Sequence, residues 1–300
     1  MTIEIHTYSS PEELRLKSST LYLIFGYGTG DTFNAMIHLA KAAPLREYEL
    51  IIKKPQLNLV LFLLGIYQRL PIRIHVVDHW KHDFSVFVAQ NSPSISFMRG
   101  LEPNLLKEGL IDVWLNPFNY NKVIPLTDLD VIAIQGYFSA QKPKAVLPEN
   151  SVILFPTAGA NFTDYVPPWE KLVKTLKDFG LQHVYVNQSG IADYGNEMIS
   201  GAEPIALSHE ELIRAVYNPI GRMNLVAVRS GVIDILRFSA ARALVLYQPI
   251  PEGIFETCRF GLLKHNLDLI EVMCLNESKV HQDKLLEYYV QQFIASTLER

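Results

Sequence analysis

Two glycine-bearing turns carry the residue types that could do chemistry. The first is Gly26-Tyr27-Gly28-Thr29-Gly30-Asp31-Thr32, set between an apolar run and an amphipathic stretch. Gly28 and Gly30 let backbone approach a ligand closely, and a helix starting there offers unpaired N–H groups and a positive dipole end. The spacing is GxGxG rather than GxGxxG, and no acid ends the next strand, which demotes a dinucleotide-binding dehydrogenase. The GK[ST] ending is missing too, which excludes a P-loop. Asp31 reads in two ways: as an N-cap or first-turn acid that stabilises the helix by ~1 kcal/mol, or as a carboxylate placed to act as a general base.

The second turn is Val228-Arg229-Ser230-Gly231-Val232, where a strand opens into a helix. Backbone N–H groups of Ser230 and Gly231, with the Arg229 guanidinium beside them, form a cradle suited to a diphosphate. Donors fixed there would stabilise a nucleoside diphosphate as it leaves, which is leaving-group catalysis without a metal. The competing role for Arg229 is a salt bridge. A further small-residue turn, Pro156-Thr157-Ala158-Gly159-Ala160, follows another strand and adds Thr157 and Gly159 to the donor-side candidates. Glu252 or Glu256 could accept hydrogen bonds from a ribose, with Tyr247 walling a base, although a solvated helix-start acid explains the glutamates equally well.

The run His75 to Asp83 holds three histidines and two aspartates. Strand alternation and the lack of an HExxH or paired-cysteine spacing argue against zinc, so no metal is expected. Contacts to an acceptor fit His79 and Trp80 better. The flat face of Trp80 suits a sugar ring, against core filling as the ordinary use of such a ring.

Apolar, β-branched runs alternating with longer amphipathic stretches must position these residues, and that alternation is the pattern of βα units on a mostly parallel sheet. In the first half the spacing predicts strands at Leu21–Phe25, Glu49–Ile52, Ile72–Val77 and Val131–Ile134. Helices are predicted at Thr32–Ala43, Leu57–Gln68 and Glu102–Glu108. The polar stretch Gln141–Ser151, with two prolines, reads as the boundary, giving units 1–148 and 149–300.

In the second half, strands are predicted at Val152–Phe155, His183–Val186, Leu225–Val228, Ala243–Tyr247 and Leu269–Cys274. Helices fall between them at Trp169–Phe179, His209–Tyr217, Val232–Ala240 and Glu252–Leu263. A terminal helix from Ser278 to Leu298 has a broad apolar face and docks, with packing back on the first unit as one option.

Composition bounds the partners. The chain has 300 residues, 49% of them hydrophobic and 19% charged, enough for two globular domains. A net charge of −4 gives no bulk attraction to a polyphosphate backbone, so nucleic acid is not an expected partner. Cys258 and Cys274 make neither a disulfide framework nor a metal site, which fits a reducing cytoplasm. No secretory leader is expected at the N-terminus. The longest apolar stretch, Leu59 to Tyr67, is far below the roughly 20 residues of a membrane span, leaving peripheral contact at the inner face of a membrane as an option.

The order of the motifs resembles the heptosyltransferase family, inverting GT-B glycosyltransferases of bacterial surface polysaccharide assembly. GTGDTFNAMIHLAKAAP is similar to that family's glycine-aspartate turn and helix, and PTAGA followed by PPWEKLVKTLKDFGLQHVYV to the start of its donor domain. LSHEELIRAVYNPIGRMNLVAVRSGVIDILRFSAARALVLYQP is similar to its later serine-led helix, strand, Ser-Gly turn and helix. The resemblance implies an α/β protein of GT-B type, with two Rossmann-like domains facing an interdomain cleft. It implies a nucleotide-sugar donor as substrate, no cofactor, and a glycan, glycolipid or glycoprotein acceptor. Asp31 matches the family's catalytic acid, and Ser230 and Gly231 its diphosphate turn. Arg229 and Asp234 stand where the family carries an acid and a histidine, which leaves the donor sugar and its nucleotide open. An NAD-dependent nucleotide-sugar epimerase or oxidoreductase, and a non-catalytic partner of the same fold, are the alternative readings.

Overall fold

The computed structural model describes residues 3–17, 20–25, 28–42, 47–67, 70–78, 95–98, 113–116, 119–142, 147–156, 167–188, 198–217, 223–228, 230–247, 268–273 and 279–298. The chain divides into two compact units, Met1–Val131 and Ile132–Arg300.

In the first unit five strands form one parallel sheet: β1 (Glu4–Tyr8), β2 (Leu21–Phe25), β3 (Tyr48–Lys53), β4 (Arg73–Val77) and β5 (Ile95–Met98). Their spatial order is β1-β4-β3-β2-β5. Between them run α1 (Thr29–Ala42) and α2 (Leu57–Leu63). An antiparallel pair, β6 (Val113–Asn116) and β7 (Asn119–Pro125), follows. Alternate residues of the central strands, Leu21 and Leu23, Leu50 and Ile52, Ile74 and Val76, are all buried, as are Phe33, Met36 and Ile37 of α1. Tyr67, beyond α2, donates its hydroxyl to the Met36 carbonyl at 2.6 Å and fastens that segment to α1. Leu59, Val60, Phe62 and Leu63 of α2 are buried, so its apolar side faces protein, with Leu61 the exposed large residue.

The segment Val131–Ile134, expected to be a strand, is the middle of a helix, α3 (Asp128–Ser139). Its start explains the correction. Thr127 and Asp130 cap each other: the Thr127 amide and hydroxyl both reach Asp130 Oδ2, at 2.7 and 2.6 Å, and the Asp130 amide reaches Thr127 Oγ1 at 3.3 Å. Thr-x-x-Asp before an apolar run is the helix-start signature, and it outweighs the β-branched content of the four residues that follow.

The second unit is built on a six-stranded parallel sheet. Its strands are β8 (Val152–Phe155), β9 (Val184–Asn187), β10 (Glu203–Ile205), β11 (Asn224–Val228), β12 (Arg242–Tyr247) and β13 (Asp268–Met273). Their order is β10-β9-β8-β11-β12-β13, which relabelled from the first strand is the 3-2-1-4-5-6 of a doubly wound nucleotide-binding sheet. The helices are α4 (Trp169–Asp178), α5 (His209–Val216), α6 (Gly231–Leu236) and α7 (Lys279–Leu298).

One set of alternating strand residues, Val152, Leu154, Val184, Val186, Val226, Val228, Leu244 and Leu246, packs in a single cluster with α4 and α7. Helix α4 supplies Trp169, Leu172, Val173 and Leu176, the i, i+3, i+4, i+7 stripe of a helix lying on a sheet. The docked terminal helix supplies Leu286, Val290, Phe293 and Ile294. Helix α6 ends at Leu236, short of the expected Ala240. The expected helices Glu102–Glu108 and Glu252–Leu263 lie outside the described residues.

No helix among the described residues is long and apolar enough to cross a membrane.

Candidate functional site

Parallel α/β sheets bind ligands beyond the carboxyl ends of their strands, where neighbouring strands leave the sheet in opposite directions. In the second unit that switch point lies between β8 and β11. The chain leaves β8 for β9 on one side and β11 for β12 on the other, and the two strands are in register from Val152 opposite Asn224 to Phe155 opposite Ala227. Two of the turns expected to hold a diphosphate therefore start side by side.

After β11, Ser230 is the N-cap of α6, with extended backbone (φ −150°, ψ 169°) and no side-chain capping bond. Gly231 is the first helical residue, and the Ile233 amide returns to the Ser230 carbonyl at 3.0 Å. The first-turn amides of α6 thus open at the carboxyl edge, beside the end of β8. Asp234 sits in the first turn of α6, and Arg237 lies over the Phe238 ring at 4.5 Å. Tyr247 closes β12 opposite Met273. Its side chain, and Thr157, Gly159, Arg229, Glu252 and Glu256, lie outside the described residues.

The first unit repeats the arrangement. Its switch point is between β2 and β5, paired from Tyr22 opposite Ile95 to Phe25 opposite Met98. The glycine turn leaves β2 at that place, and α1 starts earlier than expected, at Thr29. Gly30 is thus inside the helix and Asp31 is its third residue, in the first turn rather than at the N-cap. Gly28 precedes the helix, and its carbonyl takes bonds from the Thr32 amide at 3.1 Å and the Thr32 hydroxyl at 3.0 Å. The Asp31 side chain, with His79 and Trp80, lies outside the described residues. His79 and Trp80 directly follow Asp78, whose amide bonds the Tyr8 carbonyl at 2.9 Å and whose carboxylate takes Lys54 Nζ at 3.0 Å.

Two residues of the second carboxyl edge were not singled out from the sequence. Asn187 ends β9 and is buried; its Oδ1 accepts the Leu207 amide at 2.9 Å, and its Nδ2 donates to the Leu207 carbonyl at 3.4 Å. That double bond holds the segment leading into α5 against the sheet. A polar residue closing the apolar run Val184-Tyr185-Val186 was the available signal. His209, first in α5, shares the buried stripe of Leu212, Ile213 and Val216. Its Nε2 is buried without a hydrogen-bond partner, and burial pulls the imidazole down to about 4.

No family model matches the sequence, and no curated protein is significantly similar to it. Solved structures do match. The E. coli heptosyltransferase WaaC with ADP aligns over 93% of this chain and 99% of its own, with a TM-score of 0.50 at 13% identity. WaaC with ADP-2-deoxy-2-fluoro heptose aligns over 92% and 99%, at a TM-score of 0.49 and 12% identity. A glycosyl transferase of family 9 from Veillonella parvula covers 92% and 97%, at 0.45 and 11%. The chain has the two-unit α/β fold of GT-B type that the first of these shares.

Proposed function

We propose that the chain is a glycosyltransferase that moves a sugar from a nucleotide-sugar donor to a hydroxyl of a glycan, glycolipid or glycoprotein in bacterial surface polysaccharide or glycoconjugate synthesis, by inversion and without a metal. The observation that carries the reading is the Ser230-Gly231 turn into α6 at the β8/β11 switch point of a sheet with nucleotide-binding strand order. The fold shared with a heptosyltransferase solved with ADP supports it.

In this reading the donor diphosphate rests on the amides of Ser230, Gly231 and Val232, with Arg229 as its cation and Thr157 and Gly159 on the adjoining turn. Asp31 takes the proton from the acceptor hydroxyl while that oxygen bonds to the anomeric carbon. The bond from that carbon to the diphosphate oxygen breaks on the opposite side, and the charge left on the nucleoside diphosphate is held by the same donors. Tyr247, Glu252 and Glu256 serve the nucleoside; His79 and Trp80 serve the acceptor. An NAD-dependent reading lacks its ribose-binding acid, because β3 ends in Lys53 followed by Lys54.

Thermal unfolding with UDP-, GDP-, ADP- and CMP-sugars tests the proposal. One nucleotide class should raise stability by ~2.7 kcal/mol at a concentration of about 100 times its Kd. Indifference to all of them would overturn it.

A further inference from the structure

Strand alternation brings an unusual set of side chains onto one face of the first sheet: Glu4, His6 and Tyr8 of β1, Arg73 and His75 of β4, Glu49 of β3 and Tyr22 of β2. His75 is 6% exposed and Glu49 4%, so this is a buried polar pair inside a sheet of mostly apolar residues. Their bonds are directional. Glu49 Oε2 lies 2.5 Å from His75 Nε2, and Glu49 Oε1 lies 3.3 Å from Arg73 Nη1. Arg73 also reaches Glu4 at 2.6 Å.

A carboxylate paired with a guanidinium can only accept, so the hydrogen between Glu49 and His75 belongs to Nε2. The other ring nitrogen, Nδ1, lies 3.1 Å from Tyr8 Oη. Burial holds His75 below its ordinary value, partly offset by the bond to Glu49, which favours the neutral ring, whose single hydrogen is the one on Nε2 and whose Nδ1 is bare. The Tyr8 hydroxyl must then donate inward. Its oxygen keeps only lone pairs for any further partner.

Tyr8 is the last residue of β1, and its carbonyl holds the Asp78 amide, which puts it at the carboxyl edge beside Asp78. We propose that Glu49, His75 and Tyr8 form a proton-ordered chain that keeps the Tyr8 hydroxyl a hydrogen-bond acceptor at the carboxyl edge of the first sheet, and that protonating His75 reverses it. With Nδ1 charged, the ring donates to Tyr8 Oη and the phenol proton turns outward. The groups facing His75 among the described residues are Glu49 on β3, Arg73 on its own strand, Glu4, His6 and Tyr8 on β1, and Tyr22 on β2. The rings of His6, Tyr8 and Tyr22 stand 6.1, 5.6 and 5.8 Å from it. Together with the acceptor-side role proposed above for this unit, on which its meaning for catalysis rests, the chain suits a sugar hydroxyl at neutral pH, since that ligand brings its own proton. Glu49 and His75 are positioning residues in this scheme, and Tyr8 makes the contact.

The test is long-range 1H–15N correlation spectroscopy of the 15N-labelled full chain, with His75 assigned through His75→Gln and the pH taken from about 8 to about 5. The expected wild-type result is a proton on Nε2 and none on Nδ1 at the upper end, with Nδ1 gaining its proton as the pH falls. Tyr8→Phe should keep the Nε2–H form and lower the titration midpoint by roughly half a unit to one unit, because a charge-assisted bond is stronger than a neutral one and its loss costs the imidazolium more. A wild-type ring protonated on Nδ1 at pH 8 would overturn the proposal even if the variant failed to fold. So would a folded Tyr8→Phe protein with an unmoved midpoint. The measurement needs neither donor nor acceptor, so a failure to bind any nucleotide would sink the transferase reading and leave this result untouched.

Discussion

Asp31 and His209 are two residues whose chemistry can be separated from their contribution to folding. Asp31 is in the first turn of α1, where an acid contributes only a few tenths to about 1 kcal/mol of helix stability. Asp31→Asn should therefore leave folding and nucleotide binding close to wild type, while transfer falls by roughly 100- to 10,000-fold if the carboxylate is the base. Turnover set beside a donor-induced thermal shift measures both halves of that statement. His209 behaves in the opposite way. An unfolded imidazole titrates near 6.5 and the folded one near about 4, so the folded state excludes the proton. Its stabilising contribution is complete above the unfolded value and is lost as the pH falls from there toward 4. Urea unfolding at pH 5 should give a stability about 2 kcal/mol lower than at pH 7 from this residue, and His209→Leu should flatten that difference.

Elements were legible where local chemistry and tertiary burial agreed. Strands β2 and β8 start and stop at Leu21–Phe25 and Val152–Phe155 as read from sequence, because each is an unbroken apolar run in a parallel sheet, with Leu21–Leu23 and all of β8 buried. Strand β1 went unread because it lies at the sheet edge, with Glu4, His6 and Thr7 exposed, and so lacks a hydrophobic signal. Strand β10, Glu-Pro-Ile, is another edge strand too short to register, and its proline is admissible only there. Caps decide helix identity at this scale. Ser208 and Glu211 form a reciprocal cap on α5, with the Ser208 amide 3.0 Å from Glu211 Oε2 and the Glu211 amide 3.3 Å from Ser208 Oγ. Ser208→Ala should cost ~1 kcal/mol, read as a lower urea midpoint at unchanged slope. Phe293→Ala, which empties a fully buried site in α7, should cost about 3–5 kcal/mol by the same measurement.

At the scale of the whole chain, the α/β class and most elements of the second unit followed from periodicity, but the order of strands did not. Nothing local in Val152–Phe155 says that its neighbours will be β9 and β11, and the switch point is a property of that order. The glycine turns were visible in sequence; their placement at the two switch points required the sheets. Hydrogen–deuterium exchange carries a prediction at this scale. A bound nucleoside diphosphate should slow exchange at the amides following β8 and β11, around Gly159 and Ser230–Val232, and leave the amino ends of both strands unchanged. Equal protection along the whole sheet would speak for general stiffening rather than a ligand on those turns.

The pairing of β8 with β11 also governs how the protein can be made. These strands are neighbours at the centre of the second sheet, yet Phe155 and Asn224 are separated by everything that makes up β9, β10, α4 and α5. During synthesis, β8 must wait for β11 to clear the ribosome tunnel with one backbone edge unpaired, while β9 is already available on its other side. Parallel pairing across so long an interval is slow, and an open strand edge recruits other chains. A nascent polypeptide arrested just after Val216 should therefore bind trigger-type holdases and resist pulling poorly, whereas the whole 300-residue chain, with β11 paired and α7 docked, should have closed the gap and shed them.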